Sequence, residues 1–170
     1  MKKNVFLIIF CVFLISTFFA QEQIYELGKA QSKKGIVQID YVKVGKGGAG
    51  DYIKLSLQQR KVFANIFLPY DLKDIRRLID KFAEWRQTAI DHDHYVLNKK
   101  IGDLSTIRID FETVGNDYEI VFLEKRTGLK IVSFDLPQIQ AFTDIITDEK
   151  IDYVTNKERR RKEEEDSLFK

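Results

Sequence analysis

Two stretches of strict alternation set the reading of this chain. Val37, Ile39 and Tyr41 alternate with Gln38 and Asp40, and Ile107, Ile109 and Phe111 alternate with Arg108, Asp110 and Glu112. Period two predicts half-buried strands, with the apolar set facing a core. The two stretches also match each other, as Ile39-Asp40-Tyr41 and Ile109-Asp110-Phe111, and each runs on to a Val-Gly pair, Val44-Gly45 and Val114-Gly115.

Downstream of each come two more apolar runs and a helical pattern. Tyr52 to Leu57 and Tyr118 to Leu123 read as second strands, aligned Tyr52 on Tyr118; Val62 to Leu68 and Leu129 to Phe134 read as third strands. Gly115-Asn116 between alternating runs predicts a two-residue hairpin loop. Leu72, Ile75, Leu78, Ile79, Phe82, Trp85 and Ala89 recur at three- and four-residue spacing, the core-facing stripe of a helix beginning near Asp71. Asp135-Leu136-Pro137-Gln138 has the form of a capping box with proline in the first turn, and Leu136, Ile139, Phe142 and Ile146 supply that helix with its stripe.

This order predicts an α+β fold: an internally duplicated βββα-βββα domain, mainly antiparallel strands with two helices packed on the sheet. The domain spans residues 21–150, with repeat one over about 36–88 and repeat two over about 106–148. Residues 21–34 read as a lead-in with at most a short strand, and Tyr95-Val96-Leu97 as a short extra strand in the link. Residues 151–170 read as a charged C-terminal tail that frays, because pairs of base and acid four apart support a helix only by tenths of a kcal/mol. Over residues 36–147 the element order resembles the repeats of PUR-type single-strand nucleic-acid-binding proteins. That resemblance is one of order alone, so no function is carried over from it.

The first twenty residues stand apart from the fold. Met1-Lys2-Lys3-Asn4 is a basic lead, and Val5 to Ile15 is an unbroken apolar run that gives way to Gln21-Glu22-Gln23. A signal peptide over residues 1–20, cleaved after Ala20, is expected, and with it a periplasmic or secreted location. Phe18 stands where a small residue is preferred, which keeps an uncleaved membrane anchor as the alternative. Lys2 and Lys3 are the only charged residues in the segment, so cleavage lowers 28 basic residues by two, to equal the 26 acids. A neutral chain argues against nucleic acid as the main partner, since phosphate contacts supply most of that affinity. Cys11, inside the segment, is the sole cysteine.

Few stretches carry chemistry. Gly45-Lys46-Gly47-Gly48-Ala49-Gly50 fits the dinucleotide-binding glycine pattern, but a strand pattern follows it where a helix must open, so it reads as a hairpin tip. Asp91, His92, Asp93 and His94 form the only cluster of metal-ligand types and hold both histidines. On an extended segment the histidines would share one face, and a further ligand would have to come from elsewhere. Asp40 and Asp110 read as solvated strand residues that a pseudo-twofold could bring together as paired carboxylates. Tyr52 and Tyr118 read as strand formers, or as the aromatics of a binding face that Asp40 and Asp110 would share.

No nucleophile and base stand in a catalytic pattern, and no cofactor is implied. The expectation is an exported, non-enzymatic binding or interaction module for a protein or small-molecule partner. It touches membrane only if the N-terminal segment is retained. Two other readings stand against it: a small metal-dependent enzyme using Asp91 to His94, and a single-strand nucleic-acid-binding protein.

Overall fold

Strands form where the alternation lies, and two more form where it is broken. The structure, a computed structural model, describes residues 22–45, 48, 50–59, 62–93 and 96–168. The expected signal peptide and His94 lie outside the described residues. The elements are β1 (Glu22–Ser32), β2 (Gly35–Val44), β3 (Tyr52–Gln59), β4 (Val62–Pro69) and α1 (Leu72–Asp91), then β5 (Lys99–Leu104), β6 (Ile107–Val114), β7 (Asp117–Glu124), β8 (Lys130–Phe134), α2 (Leu136–Ile145) and α3 (Asp148–Leu168). They make an α+β fold of two four-stranded antiparallel sheets, ordered β1-β2-β3-β4 and β5-β6-β7-β8.

Each sheet therefore has one strand more than the three expected. β1 replaces the short lead-in, and β5 begins at Lys99, after the expected Tyr95-Val96-Leu97 strand, of which Tyr95 lies outside the described residues and Val96 and Leu97 are not in a strand. Both carry a β-bulge at the same place relative to their partners. Glu26 faces Asp40 while Gly28 faces Ile39, and Lys100 faces Asp110 while Gly102 faces Ile109. The extra residues, Leu27 and Ile101, are buried. A bulge shifts the side-chain phase by one, so the inward residues fall three apart, as Leu27 and Ala30 and as Ile101 and Leu104. Period two is lost there, which hides both strands from the pattern.

Register also corrects the expected match of the second strands. Tyr41 faces Ile53 and Phe111 faces Ile120. Tyr118 thus corresponds to Asp51, and Tyr52 to Glu119, one residue off the expected alignment. A slip of one turns a side chain to the other face. Tyr118 is 1% exposed, packed 5.2 Å from the Phe111 ring, whereas Tyr52 meets Phe67 edge-on at 5.5 Å on the outer face.

The inward positions Val37, Ile39, Tyr41, Ile107, Ile109 and Phe111 are all buried. They join Leu78, Phe82, Ile139 and Phe142 in one core shared by both sheets. Burial of each such aliphatic or aromatic side chain stabilises by roughly 1.5–3 kcal/mol. The helices reach across it. α1, which follows the first sheet, lies on β5 and β7 of the second, and α2, which follows the second, lies chiefly on β1 of the first. The second of these helices is capped as expected, and the first starts where expected with a cap of its own. Asp71 accepts from the Asp74 N–H, and Asp135 and Gln138 make the full capping box.

Residues 148–168, which include most of the charged tail, are helical. The first turns of this helix are docked rather than merely charge-paired. Ile151 is buried in the core and the Tyr70 hydroxyl donates to Asp148 Oδ1 at 2.9 Å. Farther along, Arg161 pairs with Glu158 at 2.6 Å on an exposed face.

Candidate functional site

The crossing of α1 onto the second sheet leaves a cleft of about 490 Å³, lined by Trp85, Thr88, Ala89, His92, Leu97 and Lys99. Clefts of a few hundred cubic ångströms with apolar walls and few polar groups are the usual form of a small-molecule site. Four residues come from the last two turns and cap of α1, one from the approach to β5 and one, Lys99, from its first position. Helical spacing puts Trp85, Thr88, Ala89 and His92 on one face.

The opposite wall is held by hydrogen bonds. The Leu97 N–H donates to Thr113 Oγ1 at 2.9 Å, the Thr113 hydroxyl donates to the Leu97 carbonyl at 3.1 Å, and the Thr113 N–H donates to Asn98 Oδ1 at 3.0 Å. These bonds splice residues 97–98 onto β6 ahead of the β5 ladder.

Trp85 is half-buried, its ring edge-on to Phe111 at 6.1 Å. The ammonium groups of Lys81 and Lys99 lie 4.8 and 5.1 Å from its centroid. Cations over an indole face are attracted by its quadrupole. Lys81 is further fixed by donating to the Ile101 carbonyl at 3.2 Å. No carboxylate is among the residues lining this cleft. Trp85 also forms the end wall of a longer, charged groove along α1 that contains Lys73, Arg76, Arg77 and Lys81 together with Asp80 and Glu84.

The expected metal cluster is not an extended segment. Asp91 ends α1, where Gln87 Nε2 donates to its Oδ1 at 2.8 Å. His92 is the C-cap, its N–H given to the Thr88 carbonyl at 3.2 Å, and Asp93 turns the chain with φ +56°. Among the described residues no three ligand-type side chains converge.

Asp40 and Asp110 are not solvated. They are 4% and 6% exposed, because β2 and β6 are interior strands and a short side chain there is flanked by neighbours. Asp40 accepts from Gln38 Nε2 at 3.0 Å; Asp110 takes a two-pronged pair from Arg108, at 2.7 and 2.6 Å. Their hydrogen-bond partners are local, each in its own sheet. A binding face uniting Tyr52, Tyr118, Asp40 and Asp110 is lost, since Tyr118 points into the core. What remains on the outer face of the first sheet is a shallow polar hollow of about 540 Å³ with Lys29, Gln38, Asp40, Lys54, Ser56 and Asn65.

The glycine run is a hairpin tip between β2 and β3, with the Gly48 N–H given to the Gly45 carbonyl at 3.2 Å. Lys46, Gly47 and Ala49 lie outside the described residues.

Periodicity assigned Trp85 to the core stripe, and only half of that holds. Its being the sole tryptophan, with Lys81 one turn earlier on the same face, is the signal that marks it in the sequence. Comparison with family models, curated proteins and solved structures finds no match to this chain.

Proposed function

We propose that this protein is an exported, non-enzymatic binding module whose ligand enters the Trp85 cleft. The observation that carries the reading is the cleft itself: an apolar, aromatic-walled recess built jointly by α1 and the lead into β5. Export rests on the basic lead and apolar run of residues 1–20, and absence of enzymatic chemistry on the sequence, which offers no nucleophile beside a base. Among the described residues no helix is long and apolar enough to cross a membrane.

The architecture is proposed to have arisen by duplication of a ββββα unit. Support comes from the equivalent bulges at Leu27 and Ile101, the matched strands β2 and β6, and the capping aspartates Asp71 and Asp135. The cleft lies on only one of the two helix crossings, so ligand binding belongs to the α1 side. The polar hollow on the first sheet is the weaker site, because buried Asp40 is held there by Gln38 rather than left to meet a ligand.

A thermal-shift screen of small apolar compounds on the purified full chain tests the site. Compounds that stabilise the protein are expected to change Trp85 emission and to lose their effect in Thr88→Phe, whose ring would fill the cleft. Stabilising compounds indifferent to that substitution would place the site elsewhere.

A further inference from the structure

α3 runs on past the surface that holds it. Ile151 is buried and Val154 packs against the core, but every residue from Arg159 to Leu168 is exposed, so burial within the chain supports little of the last turns. We propose that this free end of α3 pairs with the same helix of a second copy, antiparallel about a twofold axis between Lys162 and Glu163.

Charge complementarity carries this. Arg159-Arg160-Arg161-Lys162 is followed by Glu163-Glu164-Glu165-Asp166, a block of four bases and its mirror image in acids. A twofold between the blocks brings Arg159 level with Asp166 of the second copy, Arg160 with Glu165, Arg161 with Glu164 and Lys162 with Glu163. A parallel pair would set base on base. Lys157, Arg161, Glu164 and Leu168, spaced four, three and four, form the facing stripe, with Arg160 on its flank. Lys157, Arg160, Arg161 and Glu164 border one shallow hollow of about 630 Å³ along that side. The stripe reverses onto itself: Arg161 and Arg160 meet Glu164 of the second copy, and Leu168, 79% exposed, meets the aliphatic stem of Lys157.

Bracing of the helix by its own charges does not account for the blocks. Each base stands four before an acid, the weaker orientation for a helical pair, and acids at the C-terminal end oppose the macrodipole. Of the four such pairs, Arg159–Glu163 and Arg161–Glu165 are drawn out to 3.8 Å, and among the described residues Arg160–Glu164 and Lys162–Asp166 are not made. An antiparallel copy supplies those partners and opposes the two macrodipoles.

The contact spans about 18 Å of helix. That is small for a stable interface, so the dimer is a weak one, with a dissociation constant on the order of 100 µM. Sedimentation velocity of the full chain between 10 and 500 µM reads it. In 20 mM salt the parent is expected to shift from monomer towards dimer across that range, and 500 mM salt to reverse the shift. Arg160→Glu and Glu164→Arg should each stay monomeric alone, since each sets like charges across the twofold. Their equimolar mixture should recover the dimer, because each reversed charge then meets its opposite. Arg160→Gln, which keeps a good helix former, should weaken association about fivefold. A parent monomeric at 500 µM in low salt, a dimer indifferent to salt or to Arg160→Gln, or a mixture no more associated than its components overturns the pairing.

Discussion

A methyl group added to Gly102 would lie 2.6 Å from Leu78 Cδ2, because α1 crosses β5 at the bulge. The same relation recurs at the other crossing, where the nearest atom to a methyl on Gly28 is Ile145 Cγ2, at 3.4 Å. Each bulge glycine is the point at which a sheet receives a helix from the other half of the chain. Leu78 is 3% exposed and cannot swing into solvent.

Gly102→Ala therefore overpacks the crossing and is expected to cost about 1–3 kcal/mol. In a Leu78→Ala background the space is open and the same change should cost under half as much. Urea unfolding of the four proteins in this cycle gives the coupling directly. Additive effects would mean that the two residues do not meet.

Asp135 ties three elements with one carboxylate. It accepts the Gln138 N–H at 3.0 Å as the N-cap of α2 and pairs with Lys33, in the β1–β2 turn, at 2.9 Å. The Lys33 N–H is also given to the Ser133 carbonyl at 3.0 Å, so the turn of the first sheet docks on the edge of the second. Asp135→Ala loses cap and pair and should cost about 1–2 kcal/mol. Asp135→Asn keeps a good cap and should cost under about 1.

The pH dependence follows from the same contacts. Burial favours the neutral acid, but the Lys33 and Gln138 contacts outweigh it and hold the Asp135 carboxyl below its ordinary value. A carboxyl depressed in the fold contributes stability above its unfolded value, near 3.9, and loses it as pH falls through the lower folded value. The gap between parent and Asp135→Asn should be full at pH 6 and shrink as pH falls below the unfolded value near 3.9 and through the lower folded one. A gap that is constant across that range would show that the Lys33 pair has no part in it.

What was legible in the residues was the inward face. Val37, Ile39 and Tyr41, the matching positions Ile107, Ile109 and Phe111, the start of α1 and the capping box of α2 follow from period and spacing, and all stand in the fold as read. The bulged strands escaped because Leu27 and Ala30, like Ile101 and Leu104, are spaced as in a helix and not as in a strand. Tyr118 was misplaced because the hairpin at Gly115-Asn116 has a two-residue loop while the first is longer, and chain alignment across unequal loops cannot see a one-residue register difference. The cleft was not legible, since Trp85 and Lys99 meet only when α1 is laid on the second sheet.

Tyr70 anchors the C-terminal helix. Burial, with its hydrogen bond to Asp148, pushes its phenol up to about 12. A raised phenol contributes stability that is complete below its unfolded value near 10 and is lost as pH climbs through the folded value. Tyr70→Phe removes the bond and should cost about 1 kcal/mol near neutral pH. Between pH 10 and 12 the parent should lose that advantage. Amide exchange in residues 148–155 should quicken in the variant at pH 7. Unchanged protection there would detach the start of α3 from Tyr70.

The last prediction separates the binding module from the metal-dependent alternative. Asp91 is held by Gln87, the backbone N–H of His92 closes α1, and Asp93 turns the chain with a left-handed φ, so among the described residues this stretch shapes the end of a helix. Histidine ligands must be neutral, and a zinc site built on them would weaken as pH drops through about 6.5. Such a site would stabilise the fold by about 2.7 kcal/mol at a hundredfold excess of free metal over its dissociation constant. For a chain of this size that is a rise of several degrees in Tm. The expected result is no rise with micromolar zinc at pH 7.5, in the parent or in the His92→Ala, His94→Ala double variant. A rise in the parent that is lost in the double variant and fades at pH 5.5 would put a metal at the end of α1 and displace the reading of this protein as a binding module without one.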